Sequence, residues 1–231
     1  MKLRFALLFC LLLLNLPAWA ASPSKIHSVY SIMRAGQAIG EIQETLTLSP
    51  GHYRLESSTI PVGVLAIFVK DTITQTSSGM HDEAGFHPQQ YTYQRSTKPK
   101  KNLDASFDWE KKTALFNFDG KSESHPLPEH LQDRLSLAYQ FRYWPKTQDT
   151  LRLPVSNGKK ITEYDLVRAG EETISVPAGR FLSTRYTREL SADDEGISVW
   201  YSEKFAAPIK IIVEEKKGVL TEQVLLRVTS E

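Results

Sequence analysis

Residues 26–48 read IHSVYSIMRAGQAIGEIQETLTL, and this stretch decides the fold class. Ile26 and Tyr30 share one face of the first alternating run, and Ile42 and Glu44 share one face of the second. The glycine-containing turn AGQAIG separates the two runs. Alternation with a period of two, broken by such a turn, is typical of antiparallel strands. We therefore predict a β-hairpin at the start of the folded region.

The same alternation recurs along most of the chain. It is found in HYRLESSTI, DTITQTSSG, QQYTYQRST, KKITEYDLV and ETISV, and LDASFDWEKKTALFNFDG has the form of a hairpin with Glu110–Lys112 at its tip. STKPKKN and GKSESHPLPEH have the composition of polar turns. About a dozen strands of this kind predict a mainly β fold. We expect a strongly curved antiparallel sheet or an open barrel.

One stretch has the pattern of a helix. LPEHLQDRLSLAYQFRYW, residues 127–144, places Leu131 and Leu135 at helical spacing, and Pro128 is suited to the first turn of a helix. We predict a single main helix from about residue 129 to residue 143, packed against the sheet. Its expected role is to cover a sheet face or to close an open end of a barrel.

The N-terminus has the pattern of a secretory signal peptide. Lys2 and Arg4 precede the apolar run ALLFCLLLLNL, and the small-residue pattern AWA ends at Ala20. The apolar run is shorter than the roughly 20 residues that a transmembrane helix needs. We predict a signal peptide over residues 1–20, cleaved near Ala20, and a single β-rich domain over residues 21–231 that is located in the periplasm.

Removal of that segment changes the charge and the cysteine content. The formal net charge falls from +1 to −1, because Lys2 and Arg4 leave, and Cys10, the single cysteine, leaves with them. The remaining chain therefore has neither disulfides nor a thiolate nucleophile. Its near-zero charge gives no reason to expect a nucleic-acid partner, and no later apolar run is long enough for a transmembrane helix. The oligomeric state is left open.

The residue types of a hydrolytic triad are present, but not in a catalytic pattern. Ser136 falls inside the predicted helix, and no G-x-S-x-G turn is found. His125 and His130 lie nearby in sequence, whereas Asp133 is expected to be in solvent or paired with an arginine. We therefore predict no catalytic residue.

Metal and cofactor signatures are weak. HPLPEH and HDEAGFH do not match the H-E-x-x-H pattern, in which two histidines share a helix face. SADDEG lacks the alternating acidic spacing of a calcium loop. The sequence also has no glycine-rich phosphate loop and no dinucleotide fingerprint. We predict neither a metal nor a cofactor.

A nearly continuous apolar run, IPVGVLAIFVKD, covers residues 60–71. Its pattern favours a buried strand or a short helix, and the alternative is an apolar lip at the mouth of a groove. Aromatic residues in strands usually pack in the core, but they can also line such a groove. The predicted ligand-binding residues of the groove are Val64, Leu65, Phe68, Trp109, Tyr143, Trp144 and Trp200. Whether Trp200 faces solvent or a groove is left open.

Three segments in a fixed order resemble a known family. They are LQDRLSLAYQFR, VPAGRFLSTRYTREL and ISVWYSEKFAAPIKI, and they follow the N-terminal hairpin YSIMRAGQAIGEIQETLTL. Together they are similar to domain-of-unknown-function family 3108, a family of exported bacterial proteins. The resemblance implies an envelope location and a mostly antiparallel β domain. The family has no established activity, so the resemblance assigns no catalytic residue. Its implied architecture is similar to that of curved-sheet proteins that carry lipids or lipoproteins across the periplasm.

The leading hypothesis is a non-enzymatic periplasmic binding or scaffold protein, with an apolar groove for a lipid-like or peptide ligand. Its expected partner is an apolar ligand or another envelope protein. One alternative is an envelope hydrolase that acts on glycan or ester substrates. Another is a structural partner of an outer-membrane complex, which would use an exposed sheet edge as its contact.

Overall fold

The computed structural model describes residues 24–189, 195–215 and 218–231. In this part of the chain, one sheet of fifteen strands contains every strand, and it is not closed. The predicted signal peptide and most of the SADDEG loop lie outside the described residues. The strands are β1 Lys25–Arg34, β2 Gln37–Ser49, β3 His52–Pro61, β4 Ile73–Asp82, β5 Gly85–Arg95, β6 Leu103–Asp108, β7 Thr113–Phe118, β8 Lys121–Pro126, β9 Gln132–Asp133, β10 Thr150–Ser156, β11 Ile161–Val176, β12 Gly179–Arg188, β13 Gly196–Ser202, β14 Ala207–Glu215 and β15 Val219–Ser230.

The sheet is a meander whose two chain ends meet in the middle. Its order runs from β8 back to β1, continues with β15, and then runs back to β9. Neighbouring strands are antiparallel, except that the two-residue strand β9 pairs in parallel with β10. The amide of Ser24 donates to the carbonyl of Glu231 over 2.7 Å. The mainly β prediction and the hairpin at residues 26–48 are confirmed.

The strands differ from the predicted ones in two segments. GKSESHPLPEH, predicted to be a polar turn, contains strand β8, which pairs with β7. KKITEYDLV and ETISV form one strand, β11, whose pairing with β12 shifts register between Arg168 and Gly170. A bulge of this kind lets one long strand bend without ending, so its sequence resembles two shorter strands.

A single helical turn, α1, covers Leu65–Phe68. The main helix, α2, covers Arg134–Gln140 and is extended by a 3-10 turn at Phe141–Tyr143. The predicted start near residue 129 is wrong. His130 has a positive φ of 58°, and β9 holds the next residues in an extended form. The helix begins after Asp133, because this side chain accepts hydrogen bonds from the amides of Leu135 and Ser136 over 2.9 and 2.8 Å.

Helix α2 fills the concave side of the sheet. It contacts β4 and β5 of one half and β10 and β14 of the other. Gln132, just before the helix, donates to the carbonyl of Phe86 over 2.7 Å, so β9 lies against the start of β5. The predicted arrangement, a curved sheet with one main helix packed against it, is therefore confirmed.

Three apolar clusters form the core around this helix. In the first, Leu135 and Tyr139 of α2 pack among side chains of β1–β3 and β5–β7. In the second, Leu137 and Phe141 pack against β10–β13. The third is centred on Tyr30, and the tip of the β11–β12 hairpin closes it through a backbone hydrogen bond from Ala178 to Leu225 of 3.2 Å.

Candidate functional site

The apolar run at residues 60–71 forms an exposed tip at one end of the sheet. β3 ends at Pro61, and a single helical turn, α1, covers Leu65–Phe68. Val64 is 73% exposed, Ile67 68% and Phe68 79%. The short helix is as predicted, whereas the expectation of a buried segment is wrong, because the turn lies beyond the end of the sheet. We call Val64–Phe68 the apolar tip.

Hydrogen bonds hold the segment on both sides of the apolar tip. On one side, the amide of Val62 donates to the carbonyl of Ile39 in β2 over 3.1 Å. Within the tip, the amide of Val69 donates to Leu65 over 2.9 Å, and the Lys70 ammonium donates to Ala66 over 2.9 Å. Hydrogen bonds therefore hold the backbone that carries the exposed apolar side chains.

Asp71 anchors the other side. This buried carboxylate accepts hydrogen bonds from the guanidinium of Arg95 and from the amide of Thr97, the latter over 3.0 Å. The amide of Thr97, with the Arg95 side chain, lowers the pKa of Asp71 to about 2. The carboxylate is thus ionised at neutral pH and ties the apolar tip to the β5–β6 loop.

Two of the predicted aromatic residues are partly buried near the other end of the sheet. The indole of Trp109 donates to the carbonyl of Pro88 over 2.7 Å and contacts the ring of His87 edge-on at 5.7 Å. It borders an open cleft of about 780 Å³. Tyr143 packs edge-on against Phe86, with 5.4 Å between ring centroids.

The other two tryptophans are buried. Trp144 lies in the core, where its ring lies 4.9 Å from that of Tyr186 and its indole donates to Gln148. Trp200 lies on the face of β13 opposite Val199 and Tyr201, which belong to the second core cluster.

Neighbouring charged side chains cover Trp200, which is 9% exposed. Its indole donates to Glu172 over 2.8 Å, and the cations of Arg185 and Lys210 lie 5.9 and 5.7 Å from its ring. Trp200 therefore faces neither open solvent nor the interior. The seven predicted ligand-binding residues fall into separate places, and only Val64, Leu65 and Phe68 come together. Their role in ligand binding stays a prediction.

Two buried carboxylates lie on the concave side of the sheet, where the prediction placed none. Glu44 of β2 accepts hydrogen bonds from Tyr139 over 2.9 Å and from Ser57 over 3.3 Å. Burial raises the pKa of Glu44 to about 7. The sequence does carry a signal for this residue, since Glu44 shares the inward side of its strand with Ile42 and Leu46.

Asp133 is the second buried carboxylate. Ser77 donates to it, and the Tyr53 and Ser77 hydroxyls are hydrogen-bonded over 2.7 Å. Burial raises the pKa of Asp133 to about 6. The expectation of a solvated or arginine-paired Asp133 is wrong, because capping a buried helix places this carboxylate inside the core.

The residues considered above for a hydrolytic triad contact other groups instead. Ser136 accepts a hydrogen bond from the amide of Asp133 over 3.0 Å and so completes a capping box. His125 is on β8, with its ring 5.4 Å from that of Phe116 and its Nε2 3.6 Å from Glu123. Within the described ranges, no group of three or more His, Cys, Asp or Glu side chains is arranged to hold a metal ion. The helices of this part of the chain are all too short or too polar to span a membrane.

The fold is similar to that of a solved structure, the β-barrel-like protein of domain of unknown function DUF1849 from Brucella abortus. The alignment has a TM-score of 0.63 at 8% identity and covers 90% of this chain and 98% of that one. At this identity the likeness concerns the fold alone.

Other alignments are weaker. MucB aligns with a TM-score of 0.28 at 9% identity, over 90% of this chain and 54% of that one. A DUF1329 family protein from Desulfovibrio piger aligns with a TM-score of 0.23 at 11% identity, over 91% and 87%. Neither value supports a structural argument. A comparison with curated proteins gives no match.

The family comparison covers most of the sheet. The family model described as "Protein of unknown function (DUF3108)" matches residues 25–224, from the first strand to the middle of the last. This agrees with the resemblance carried by the hairpin, the helix and the three linked strands. The chain therefore belongs to the DUF3108 family.

Proposed function

We propose that the chain is a non-enzymatic binding or scaffold protein of the bacterial envelope and that the apolar tip is its contact surface. The observation that carries this proposal is the exposure of Val64, Ile67 and Phe68 on a segment that is held on both sides. Contiguous exposed apolar side chains on a soluble protein commonly mark a binding surface.

The hydrogen bonds on both sides of the apolar tip indicate that the exposure of its side chains is a fixed feature of the fold. Phe68 is 79% exposed although the chain has a well-packed core in which Phe86 and Phe116 are almost fully buried. Leaving such a ring in water forgoes about 1.5–3 kcal/mol of burial free energy. A partner that covers the tip would recover that free energy.

An interior groove for a lipid-like or peptide ligand has less support. Helix α2 occupies the concave side, and its Tyr139 and Leu135 pack directly onto the inner face of the sheet. The proposed contact is therefore the tip rather than a groove lined by tryptophans.

The envelope location rests on two supports. One is the signal-peptide pattern of residues 1–20, with its small residues at Ala18 and Ala20. The other is the resemblance to a family of exported proteins. The location is part of the proposal.

The two alternative functions are less well supported. For a hydrolase, the carboxylates with raised pKa values are Glu44 and Asp133, but both are buried and bound to groups of the core. For contact through a sheet edge, the described sheet ends at β8 on one side and at the two-residue β9 on the other. The longer edge strand, β8, carries Lys121 and Glu123 and ends at Pro126. Charges and proline are features that protect an edge strand from pairing with another chain.

A photo-crosslinking side chain at position 67 tests the proposal in living cells. The same substitution at position 182 is the control, since Leu182 is also exposed but lies on β12, away from the tip. We expect position 67 to form adducts with envelope lipid or with one envelope protein, identified by mass spectrometry, well above position 182. Equal adduct formation at both positions would contradict the proposal, as would turnover of glycan or ester substrates by the purified protein.

A further inference from the structure

Several lysines lie next to the apolar tip, in its own segment and in the neighbouring β5–β6 loop. Residues 62–72 and 95–102, the connecting segments at this end of β3–β6, contain five cations and one carboxylate. That carboxylate is Asp71, which is buried and paired with Arg95. The remaining cations are the exposed side chains of Lys70, Lys98, Lys100 and Lys101.

Backbone contacts place this lysine loop beside the tip. The amide of Thr72 donates to the Ser96 hydroxyl over 2.8 Å, and the amide of Ser96 donates to the carbonyl of Thr72 over 3.0 Å. Next to them, Ile73 and Arg95 form the terminal residue pair between β4 and β5. The segment with the tip and the loop with the lysines therefore leave the sheet side by side.

The local charge is opposite in sign to that of the chain as a whole. The two segments carry a net charge of +4, from five cations and one carboxylate, whereas residues 21–231 carry −1. Among the described residues, no carboxylate forms an ion pair with Lys98, Lys100 or Lys101. These two segments thus present apolar side chains at the tip and, beside it, lysines without an ion-pair partner in the described part of the chain.

We propose that this end of the sheet binds the surface of an anionic lipid bilayer, an inference that rests on the proposed function. A bilayer has a layer of phosphates at its surface and apolar chains beneath it. The protein has lysines and, beyond them, the apolar tip, so the two arrangements are complementary. Interfacial segments insert their apolar face roughly 5–10 Å into the boundary between headgroups and acyl chains. Ile67 and Phe68 would enter this region, and the lysines would meet the phosphates.

A second copy of the chain fits the surface less well. In a symmetric dimer the same patch faces itself. Two tips in contact would bring the lysine clusters of both copies together, and like charges in a contact oppose association. An anionic surface instead attracts the lysines, and each lysine adds a favourable contribution to the binding free energy.

Flotation of the protein with vesicles tests the proposal. The chain that begins at Ala21 is suitable, because it keeps every described strand and lacks the apolar run of residues 1–20. The probes are vesicles of phosphatidylcholine alone and vesicles that contain phosphatidylglycerol. We expect the protein to float with the anionic vesicles only, and its binding to weaken as salt increases.

Two sets of variants separate the apolar part from the charged part. The double variant Ile67→Ser and Phe68→Ser should lose about tenfold or more in vesicle affinity, since it removes two apolar side chains that the bilayer would bury. Its control is Leu182→Ser, another exposed apolar residue. The triple variant of Lys98, Lys100 and Lys101 to Gln should lose a similar factor, mostly at low salt. Its control is the same change at Lys111, Lys112 and Lys204, in turns at the opposite end of the sheet.

Several outcomes would overturn the membrane proposal. They are wild-type protein that does not float with anionic vesicles, equal binding to both lipid compositions, and tip variants that bind like their controls. Dimerisation of the wild type through the tip, seen by light scattering and lost in the Ile67→Ser, Phe68→Ser variant, would also overturn it. If vesicle binding fails while position 67 still crosslinks to one envelope protein, the membrane proposal falls and the proposed function stands.

Discussion

Tyr139 of helix α2 donates a 2.9 Å hydrogen bond to the buried carboxyl group of Glu44 on strand β2. The bond joins residues that are far apart in sequence, and Ser57 of β3 donates to the other oxygen of Glu44. Buried polar groups are stable only when they are hydrogen-bonded. The position of the helix inside the sheet is therefore tied to the partners of a single carboxyl group.

Replacement of Tyr139 by Phe should destabilise the fold. The change leaves one Glu44 oxygen without its donor inside the core, which costs about 1–3 kcal/mol. The midpoint of urea denaturation measures the loss. Tyr143→Phe is the matched control, because Tyr143 is half-buried and its described contacts are those of its ring with Phe86 and Arg142. A midpoint for Tyr139→Phe equal to that of the control would contradict this role.

The two buried carboxyl groups predict a pH dependence of stability. Burial raises the pKa of Glu44 from 4.5 to about 7 and that of Asp133 from 3.8 to about 6. The folded protein therefore binds more protons than the unfolded chain between these values. The stabilisation is complete below the unfolded-state pKa and is lost as the pH rises through the folded-state pKa, by about 3 kcal/mol for each group.

Asp71 has the opposite effect at lower pH. Its pKa is lowered from 3.8 to about 2, so its contribution is present above pH 3.8 and is lost as the pH falls towards 2. We therefore expect maximal stability near pH 4–5 and a decrease towards pH 7.5, measured by urea denaturation. Glu44→Gln should flatten the decrease above pH 5. A wild-type midpoint that is constant or rises between pH 5 and pH 7.5 would contradict the prediction.

Local sequence pattern predicted the sheet well. The alternation around Ile26 and Tyr30 identifies a hairpin, because each strand has one buried and one exposed side. The same pattern cannot choose between Pro128 and Asp133 as the helix start, since both match a start locally and the pairing of β9 with the distant strand β10 decides between them. Pro128 and Glu129 match a helix start locally, but strand β9 holds the following residues in an extended form.

Replacement of Asp133 by Ala should cost about 3 kcal/mol in unfolding free energy at pH 5, below the raised pKa of this carboxyl group. The change removes the helix cap, typically worth about 1 kcal/mol, and leaves the buried Ser77 hydroxyl without its acceptor. Ser136→Ala removes only the reciprocal bond of the capping box, so it should cost about 1 kcal/mol. Urea denaturation of both variants gives the comparison. Similar losses for the two would show that Asp133 acts only as a cap.

Sequence pattern identified the apolar tip as unusual but could not decide its burial. A run such as IPVGVLAIFV has the composition of a core segment. Its exposure follows from the sheet: β3 ends at Pro61, and hydrogen bonds at Val62 and Asp71 hold the segment beyond that end. For the tryptophans the difference is in the opposite direction. Trp144 and Trp200 were predicted to line a groove, but residues from distant strands cover both of them.

The anchoring of the apolar tip by Asp71 can be tested by proteolysis. Asp71→Ala removes the acceptor for Arg95 and Thr97, so the segment from 62 to 72 should open more often and be cleaved several-fold faster by a limiting amount of chymotrypsin. The control is Asp165→Ala, since Asp165 pairs with Arg152 on an exposed face, where such pairs contribute little. Cleavage of Asp71→Ala at the same sites and rate as the control would contradict the anchoring role.

A fluorescent label on the apolar tip tests the central claim most directly. The chain from Ala21 onwards lacks cysteine, so Val64→Cys introduces a single site for an environment-sensitive dye and leaves Ile67 and Phe68 intact. Leu182→Cys provides the control label. With phosphatidylglycerol vesicles, we predict a blue shift and protection from a water-soluble quencher at position 64, and no change at position 182. An unchanged spectrum at position 64, or equal shifts at both positions, would contradict the account.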